Sequence, residues 1–153
     1  MFMNGHPIGR WHRRYVELAR QVALWSKDPS TKVGAVLVRP DFSVASVGFN
    51  GFPRGVDDSE ERLNDRPTKL MMTVHGEMNA ILNAHERLNG YTLYVTPFAP
   101  CSSCAAMIIQ AGIEEVIIDQ RTKPRESWHE SIEVGRHMFE EADVNVQHVT
   151  DEV

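Results

Sequence analysis

The chain has 153 residues, of which 42% are apolar and 24% charged, and its formal net charge is −5. This length fits one domain over residues 1–153, and this composition is that of an ordinary globular protein and argues against intrinsic disorder. No run of about 18 apolar residues is present, which excludes a transmembrane helix, and the acidic balance argues against a nucleic-acid polymer as partner.

Cysteine content and the first residues indicate a location. The two cysteines exclude a scaffold of several disulfides and suit the reducing cytosol. Residues 1–7 lack the charged region and the apolar region of a signal peptide. We therefore expect a cytoplasmic protein that has no membrane partner.

Charge is unevenly distributed along the chain. Residues 10–32 hold six basic and two acidic side chains, a net charge of +4, so the rest of the chain carries −9. A local basic patch on an acidic protein suits a small anion better than a polyanion, which would meet the whole negative field. A solvated helix face is the alternative explanation.

The first half of the chain predicts a helix, two strands and a long loop, at 11–25, 33–39, 43–49 and 50–72. The helix has apolar residues at three- and four-residue spacing, and Asp28-Pro29 ends it because the residue before a proline disfavours helix. Pro40-Asp41 marks a turn between the strands, which predicts a β-hairpin. A loop of this length inside a compact domain is usually functional.

In the second half, helices and strands alternate, at 75–88, 92–96, 102–111, 115–119, 126–141 and 144–149. Asn89-Gly90 and Gly112 are the predicted ends of the first two helices. The order α-β-β-α-β-α-β-α-β implies an α/β domain with a mixed five-stranded sheet and helices on both faces.

Two short motifs carry candidate metal ligands, each where a predicted helix begins. His75-Gly76-Glu77 opens one helix, and Cys101 and Cys104 open another. The helix dipole and the free backbone N–H groups favour thiolates at a helix N-terminus. One imidazole and two thiolates give Zn²⁺ three protein ligands, the number typical of catalytic sites, which keep one position open. The sequence therefore predicts a catalytic zinc site.

Glu77 is a predicted proton carrier rather than a fourth ligand. Residues i and i+2 of a regular helix lie about 200° apart, so His75 and Glu77 can flank one point only at a frayed first turn. At that position Glu77 could act as a general acid/base on the reacting water.

A Cys-x-x-Cys motif also occurs in redox dithiols and in structural zinc sites. A redox dithiol needs no His-x-Glu motif, and this chain lacks an aromatic residue directly before Cys101. A structural zinc needs a fourth ligand. However, His85 lies more than about two turns along its helix, and His6 and His12 sit in a separate segment. His-x-Glu together with Pro-Cys-x-x-Cys therefore favours a catalytic site of the deaminase type.

Beyond the metal motifs, the sequence resembles the cytidine/deoxycytidylate deaminase superfamily, and within it the deoxycytidylate (dCMP) deaminases. The similar segments are Ser26-Lys27-Asp28-Pro29, Val33-Gly34-Ala35, Gly48 to Gly55, His75 to Ile81, and Pro100 to Ile113. They span about residues 11–119, and the tail after Arg121 carries no motif of the family.

The resemblance implies a three-layer α/β/α fold of the cytidine-deaminase type. It also implies zinc-dependent hydrolytic deamination of dCMP, or of a 5-substituted dCMP, to the corresponding dUMP and ammonia. By the motif, His75, Cys101 and Cys104 hold one Zn²⁺ per chain. Glu77 then protonates the ring nitrogen and activates water for attack at C4.

Substrate contacts follow from the same resemblance. Backbone N–H groups near Gly76 and Cys101 are expected to contact the pyrimidine carbonyl, and Asn50 to face the sugar. Lys27 is expected to meet the 5′-phosphate, with a solvated lysine as the alternative. The family has alanine at the position of Gly76. The approach to Cys101, residues 95–100, is one residue longer than the common pattern, which can alter the pocket near C5.

Members of the family are often hexamers that dCTP activates and dTTP inhibits. The resemblance therefore implies a homo-oligomer, a hexamer or a dimer, with dCTP or dTTP as effector and Mg²⁺ bound with the effector nucleotide.

Three other functions remain open at this point. A tRNA adenosine deaminase shares the metal motifs but would be expected to carry a basic surface. A deaminase of free nucleosides or bases differs only in having no phosphate to recognise. A non-catalytic zinc module that binds nucleotides has no chemical reason to keep Glu77.

Overall fold

The computed structural model describes residues 7–149, with the side chains of residues 9–149. The strands are β1 (Gly34–Val38), β2 (Val44–Phe49), β3 (Thr92–Thr96), β4 (Glu115–Asp119) and β5 (Asn145–Val149). The helices are α1 (Pro7–Ala23), α2 (Glu60–Asn64), α3 (Arg66–Met72), α4 (Gly76–Ala84), α5 (Ser102–Gln110) and α6 (His129–Glu141). A 3₁₀ turn, Glu126–Trp128, precedes α6.

The strands form one mixed sheet in the order β2-β1-β3-β4-β5. β1 is antiparallel to both of its neighbours, and Ala35 pairs with Gly48 on one side and with Val95 on the other. β3, β4 and β5 run parallel to one another. The predicted hairpin and the predicted mixed five-stranded sheet are confirmed.

Helices cover both faces of this sheet. On one face, Val36 and Tyr94 pack against Tyr15 and other residues of α1. On the other face, Leu93 and Ala80 belong to a larger core that joins the sheet to α4, α5 and α6. Successive residues of a strand point to opposite faces, so each strand contributes to both cores. The three-layer α/β/α architecture is confirmed.

The segment 50–72 is not the structureless loop that we predicted. It contains α2, whose first turn is capped by Ser59 through a 3.3 Å hydrogen bond from the backbone N–H of Arg62. It also contains α3, which has Pro67 in its first turn, where a missing N–H costs nothing. Both signals are present in the sequence, but the glycines and prolines around them obscure two such short helices.

The predicted end of the α4 helix was also wrong. The helix stops at Ala84 because His85 adopts a left-handed conformation with φ of 52°, and this terminates the helical hydrogen bonding. Leu88, the predicted last residue, is nevertheless buried in the core.

Within residues 7–149, no helix combines the length and the apolar character needed to cross a membrane. Of residues 1–7, in which we expected no signal peptide, residues 1–6 lie outside the described residues, and His6 is one of them.

Candidate metal centre and cleft

The N-termini of α4 and α5 bring the predicted metal ligands together. His75 is the residue before the first turn of α4, and Cys101 holds the same position before α5. The Nδ1 atom of His75 lies 3.5 Å from the Sγ atom of Cys101 and 3.3 Å from the Sγ atom of Cys104. The ligand atoms of the three residues all lie within 4.8 Å of one another. Cys101 and Cys104, which follow His75 by 26 and 29 positions in the chain, therefore face one point together with it.

Close backbone packing fixes the start of α4 against the sheet. A Cβ atom added to Gly48 of β2 would lie 2.3 Å from the backbone nitrogen of Ala80, so only glycine allows this approach. A Cβ atom at Gly76 would lie 2.9 Å from a methyl carbon of Val33. Val33 occupies the space that a Cβ atom at position 76 would need, and this explains why Gly76 stands where the family has alanine.

The donor set fits a zinc ion. In a tetrahedral zinc site with ordinary bond lengths, an imidazole nitrogen and a thiolate sulfur lie about 3.6 Å apart. The two distances measured from His75 are close to this value. One nitrogen and two sulfur donors also match the ligand preference of zinc, and three ligands leave a fourth position for a reactant.

Electrostatics at the centre favour a thiolate. The hydrogen bond from Cys104, with help from His75 and against the opposing effect of burial, lowers the pKa of the Cys101 thiol. The contact with Cys101 and burial both raise the pKa of Cys104. The shift at Cys101 favours its thiolate, which is the form that binds a metal.

Glu77 lies in the first turn of α4, two residues after His75, and is 5% exposed. Burial is the main cause that raises the pKa of its carboxyl group. The predicted proton carrier therefore lies beside the candidate metal ligands and away from bulk water.

A cleft opens from this centre to the surface. His75, Glu77 and Cys101 line its inner end, Cys104 is fully buried beside them, and we call these four residues the floor of the cleft. Three cations, Arg66, Lys123 and Arg125, line its outer part. Arg66 is partly exposed and the other two are exposed, and we call these three residues the rim. The aromatic rings of Phe98 and Trp128 also line the cleft.

A buried ion pair forms part of the cleft wall. Lys69 and Asp28 lie 2.9 Å apart, with side chains 6% and 10% exposed. Burial opposes ionisation of Asp28, but hydrogen bonds from Lys69 and from the backbone N–H groups of Thr31 and Ser30 outweigh it and lower the pKa of Asp28. The pair joins α3 to the segment that follows α1, so it shapes the cleft.

Asn50, which we expected to face the sugar, lines the cleft, and its side chain is engaged in hydrogen bonds within the protein. Its Oδ1 atom accepts a hydrogen bond from the backbone N–H of Val33 at 2.8 Å, and its Nδ2 group donates to the carbonyl oxygen of Thr31 at 2.9 Å. Asn50 therefore holds the neighbouring wall in place in this structure.

Lys27, the expected phosphate contact, is not brought to the cleft. Its side chain is 70% exposed and forms an ion pair with Asp58 at 2.9 Å, and it is absent from the cleft lining. The same holds for the basic stretch as a whole, since none of the six cations of residues 10–32, all within the described chain, lines the cleft. The geometry therefore does not support the interpretation that this basic stretch binds a small anion.

Sequence reasoning missed the three rim cations, and it also missed Lys69 and Trp128. The ring of Trp128 contacts that of His75 edge to face, with centroids 5.9 Å apart. One signal was available, because residues 121–125 place three cations at alternate positions around Pro124 in an acidic chain. No signal in the sequence marked Lys69, because the segment around it resembles a loop and only the structure shows that this lysine is buried.

Comparison with known proteins gives consistent matches. Residues 9–120 match the family model described as the cytidine and deoxycytidylate deaminase zinc-binding region. The chain is 46% identical over 140 residues to the "uncharacterized deaminase in luxG 3′ region" of Aliivibrio fischeri, covering 91% of this chain and 93% of that protein. It is 35% identical over 148 residues to the deoxycytidylate deaminase of Mus musculus, covering 92% of this chain and 80% of that protein.

A solved structure has the same fold. It is the crystal structure of the dCMP deaminase of cyanophage S-TIM5 in complex with dCMP and dUMP, with a TM-score of 0.73 at 24% identity. The match covers 95% of this chain and 100% of that one.

Proposed function

The chain belongs to the cytidine and deoxycytidylate deaminase family, and from that premise we propose that it is a zinc-dependent hydrolase that converts dCMP and water into dUMP and ammonia. One observation carries the proposal. Three metal-binding side chains and one buried carboxyl group meet at the inner end of a cleft whose outer part bears cations. A substrate that places a pyrimidine base at the floor and an anionic group at the rim would contact both ends of the cleft.

We assign the metal to His75, Cys101 and Cys104, whose donor atoms and spacing fit zinc. When bound there, zinc supplies Lewis acidity that makes water a stronger nucleophile at neutral pH. Residues 1–153 would act as one deaminase domain, a proposal supported by the single sheet that joins both cores.

Glu77 is the proposed proton carrier. The reaction forms a bond between C4 of the base and the oxygen of water, and it breaks the bond between C4 and the exocyclic amino nitrogen. Glu77 takes one proton from the attacking water and delivers it to the ring nitrogen, and it then takes the remaining proton from the new C4 hydroxyl and delivers it to the departing amine, which leaves as neutral ammonia. Its burial favours this role because solvent does not compete for the proton.

The helix N-termini orient the base. The backbone N–H groups of Gly76 and Cys101, at the starts of α4 and α5, suit the pyrimidine carbonyl, whereas the N–H of Ser102 already donates to the Oγ atom of Ser131 at 2.8 Å. Phe98, within the longer approach to Cys101, lines the cleft, and we propose that it forms the wall that a substituent at C5 of the base would meet. Asn50 supports the sugar-binding wall through its hydrogen bonds to the backbone of Val33 and Thr31.

Regulation and assembly remain predictions of the family resemblance. We retain a homo-oligomer, a hexamer or a dimer, with dCTP or dTTP as effector and Mg²⁺ bound with that nucleotide. Large apolar side chains on the surface, such as Met71 at 81% exposed and Leu82 at 61%, support an oligomer.

Ammonia release by the zinc-loaded protein tests the function. The panel contains dCMP, 5-methyl-dCMP, 5-hydroxymethyl-dCMP, CMP, deoxycytidine and a tRNA anticodon stem-loop, with the Glu77→Gln variant as the blank. We expect a deoxycytidine monophosphate to be the best substrate, and the best 5-substituent reports on the Phe98 wall. Preference for deoxycytidine or for the RNA would move the assignment to those deaminases. Silence across the panel in a protein that contains zinc would favour a non-catalytic module.

A further inference from the structure

The connection between β4 and α6 contributes much of the cleft rim. Residues 121–128, which we call the rim segment, follow the region that matches the family model, residues 9–120. Within it, Lys123, Pro124, Arg125 and Trp128 line the cleft. A segment outside the matched region thus faces the same cleft as the metal-binding motifs.

The rim segment is anchored at both ends. At its start, the backbone N–H of Arg121 donates to the carbonyl oxygen of Pro97 at 2.8 Å, on the approach to Cys101. At its end, the backbone N–H of Trp128 donates to the carbonyl oxygen of Arg125 at 2.9 Å, and the indole contacts His75. Lys123 and Arg125 therefore lie between a backbone contact to the approach to Cys101 and an aromatic contact to His75.

The rim segment presents two cations to the cleft, Lys123 and Arg125. No carboxylate within residues 7–149 forms an ion pair with Lys123 or Arg125, whereas Arg39 and Arg136 on other surfaces are both paired. Among the residues lining the cleft, the carboxylates are Asp28, which Lys69 neutralises, and the buried Glu77. The rim therefore has an excess of positive charge although the whole chain carries −5.

We propose that Lys123 and Arg125 bind the 5′-phosphate and make the protein select a nucleoside monophosphate over a nucleoside. The inference rests on the proposed deamination of a deoxycytidine nucleotide, because it needs the base at the floor. Arginine suits a phosphate because its guanidinium donates two parallel hydrogen bonds, and lysine adds a mobile point charge. Pro124 between them stiffens the segment, which reduces the entropy lost on binding. Arg66 on α3 supplies a third cation from another segment of the chain.

The test compares dCMP with deoxycytidine on the zinc-loaded full chain. We expect the ratio of kcat/KM for dCMP to that for deoxycytidine to fall about 10- to 100-fold in Lys123→Ala and in Arg125→Ala, and further in the double variant. Arg125→Lys should recover part of the ratio. Lys27→Ala is the matched control, since it removes an exposed cation outside the cleft.

Three results overturn the assignment. The ratio could stay constant in the double variant, both substrates could lose rate equally, or the selective loss could appear in Lys27→Ala instead. A binding measurement separates this proposal from the proposed function. Calorimetry with dUMP and deoxyuridine should show that only dUMP loses affinity in the double variant, even if the wild-type protein turns over no substrate. Equal affinity for dUMP in the wild type and the double variant would refute the phosphate site by itself.

Discussion

The floor and the rim of the cleft are built in different ways. The floor comes from two helix N-termini in the region that matches the family, and its side chains contact one another within a few ångströms. The rim comes from the first residue of α3 and from the connection before α6, and its cations have no ion-pair partners in the described chain. The floor is therefore arranged for chemistry that needs fixed geometry. The rim is arranged to meet a charged group supplied by a ligand.

Removing a floor ligand should have the largest effect. Cys101→Ser or Cys104→Ser leaves two of three donors, so we expect zinc affinity to fall more than about a hundredfold, beyond the loss typical of changes around a ligand. Turnover should disappear with the metal. Zinc content per chain after dialysis checks this, and Ser103→Ala, an exposed residue between the two cysteines, is the control. Full zinc occupancy in Cys104→Ser would remove that residue from the ligand set.

Glu77→Gln should separate chemistry from metal binding. The amide keeps the shape of the side chain but cannot carry a proton, so turnover should fall about 10²- to 10⁴-fold while zinc content stays that of the wild type. Steady-state rates and metal analysis on the same sample check both halves. Glu114→Gln, at an exposed carboxylate, is the control. Near-normal turnover of the Glu77 variant would refute its role as proton carrier.

The wall between floor and rim depends on the buried pair of Lys69 and Asp28. Asp28→Asn leaves a buried ammonium without its partner, so the free energy of unfolding should fall by about 3–5 kcal/mol. Asp58→Asn breaks an ion pair of the same 2.9 Å length, but its lysine is 70% exposed, and we expect no resolvable shift of the denaturation midpoint. Equal destabilisation by both variants would contradict the importance of burial.

The same pair predicts a pH dependence. The pKa of Asp28 is lowered in the folded protein, so its contribution to stability is fully present above the pKa of about 3.9 of an unfolded aspartate. The contribution is lost as the pH falls through the lower folded value. The difference in unfolding free energy between wild type and Asp28→Asn should therefore stay constant near neutrality and shrink below about pH 4. A difference that grows on acidification would have the wrong sign.

Local spacing was enough to predict the floor and most of the sheet. β3 and β4 were predicted at their observed bounds, because short apolar runs between clear turn signals leave little choice. His75, Cys101 and Cys104 were found because each motif marks a helix start. The rim could not be found in this way. Arg66 and Arg125 lie far apart in the chain, and only the tertiary fold brings them to one cleft. Lys27 was favoured by its motif, but the motif does not show where its side chain points.

The salt dependence of kcat/KM for dCMP and deoxycytidine tests most directly whether the rim recognises the charge of the substrate. Raising the salt from about 50 mM to about 500 mM shortens the screening length to a few ångströms and weakens attraction by exposed cations. If the rim binds the phosphate, kcat/KM for dCMP should fall severalfold while that for deoxycytidine barely changes. A ratio of the two that is the same at both salt concentrations would contradict it.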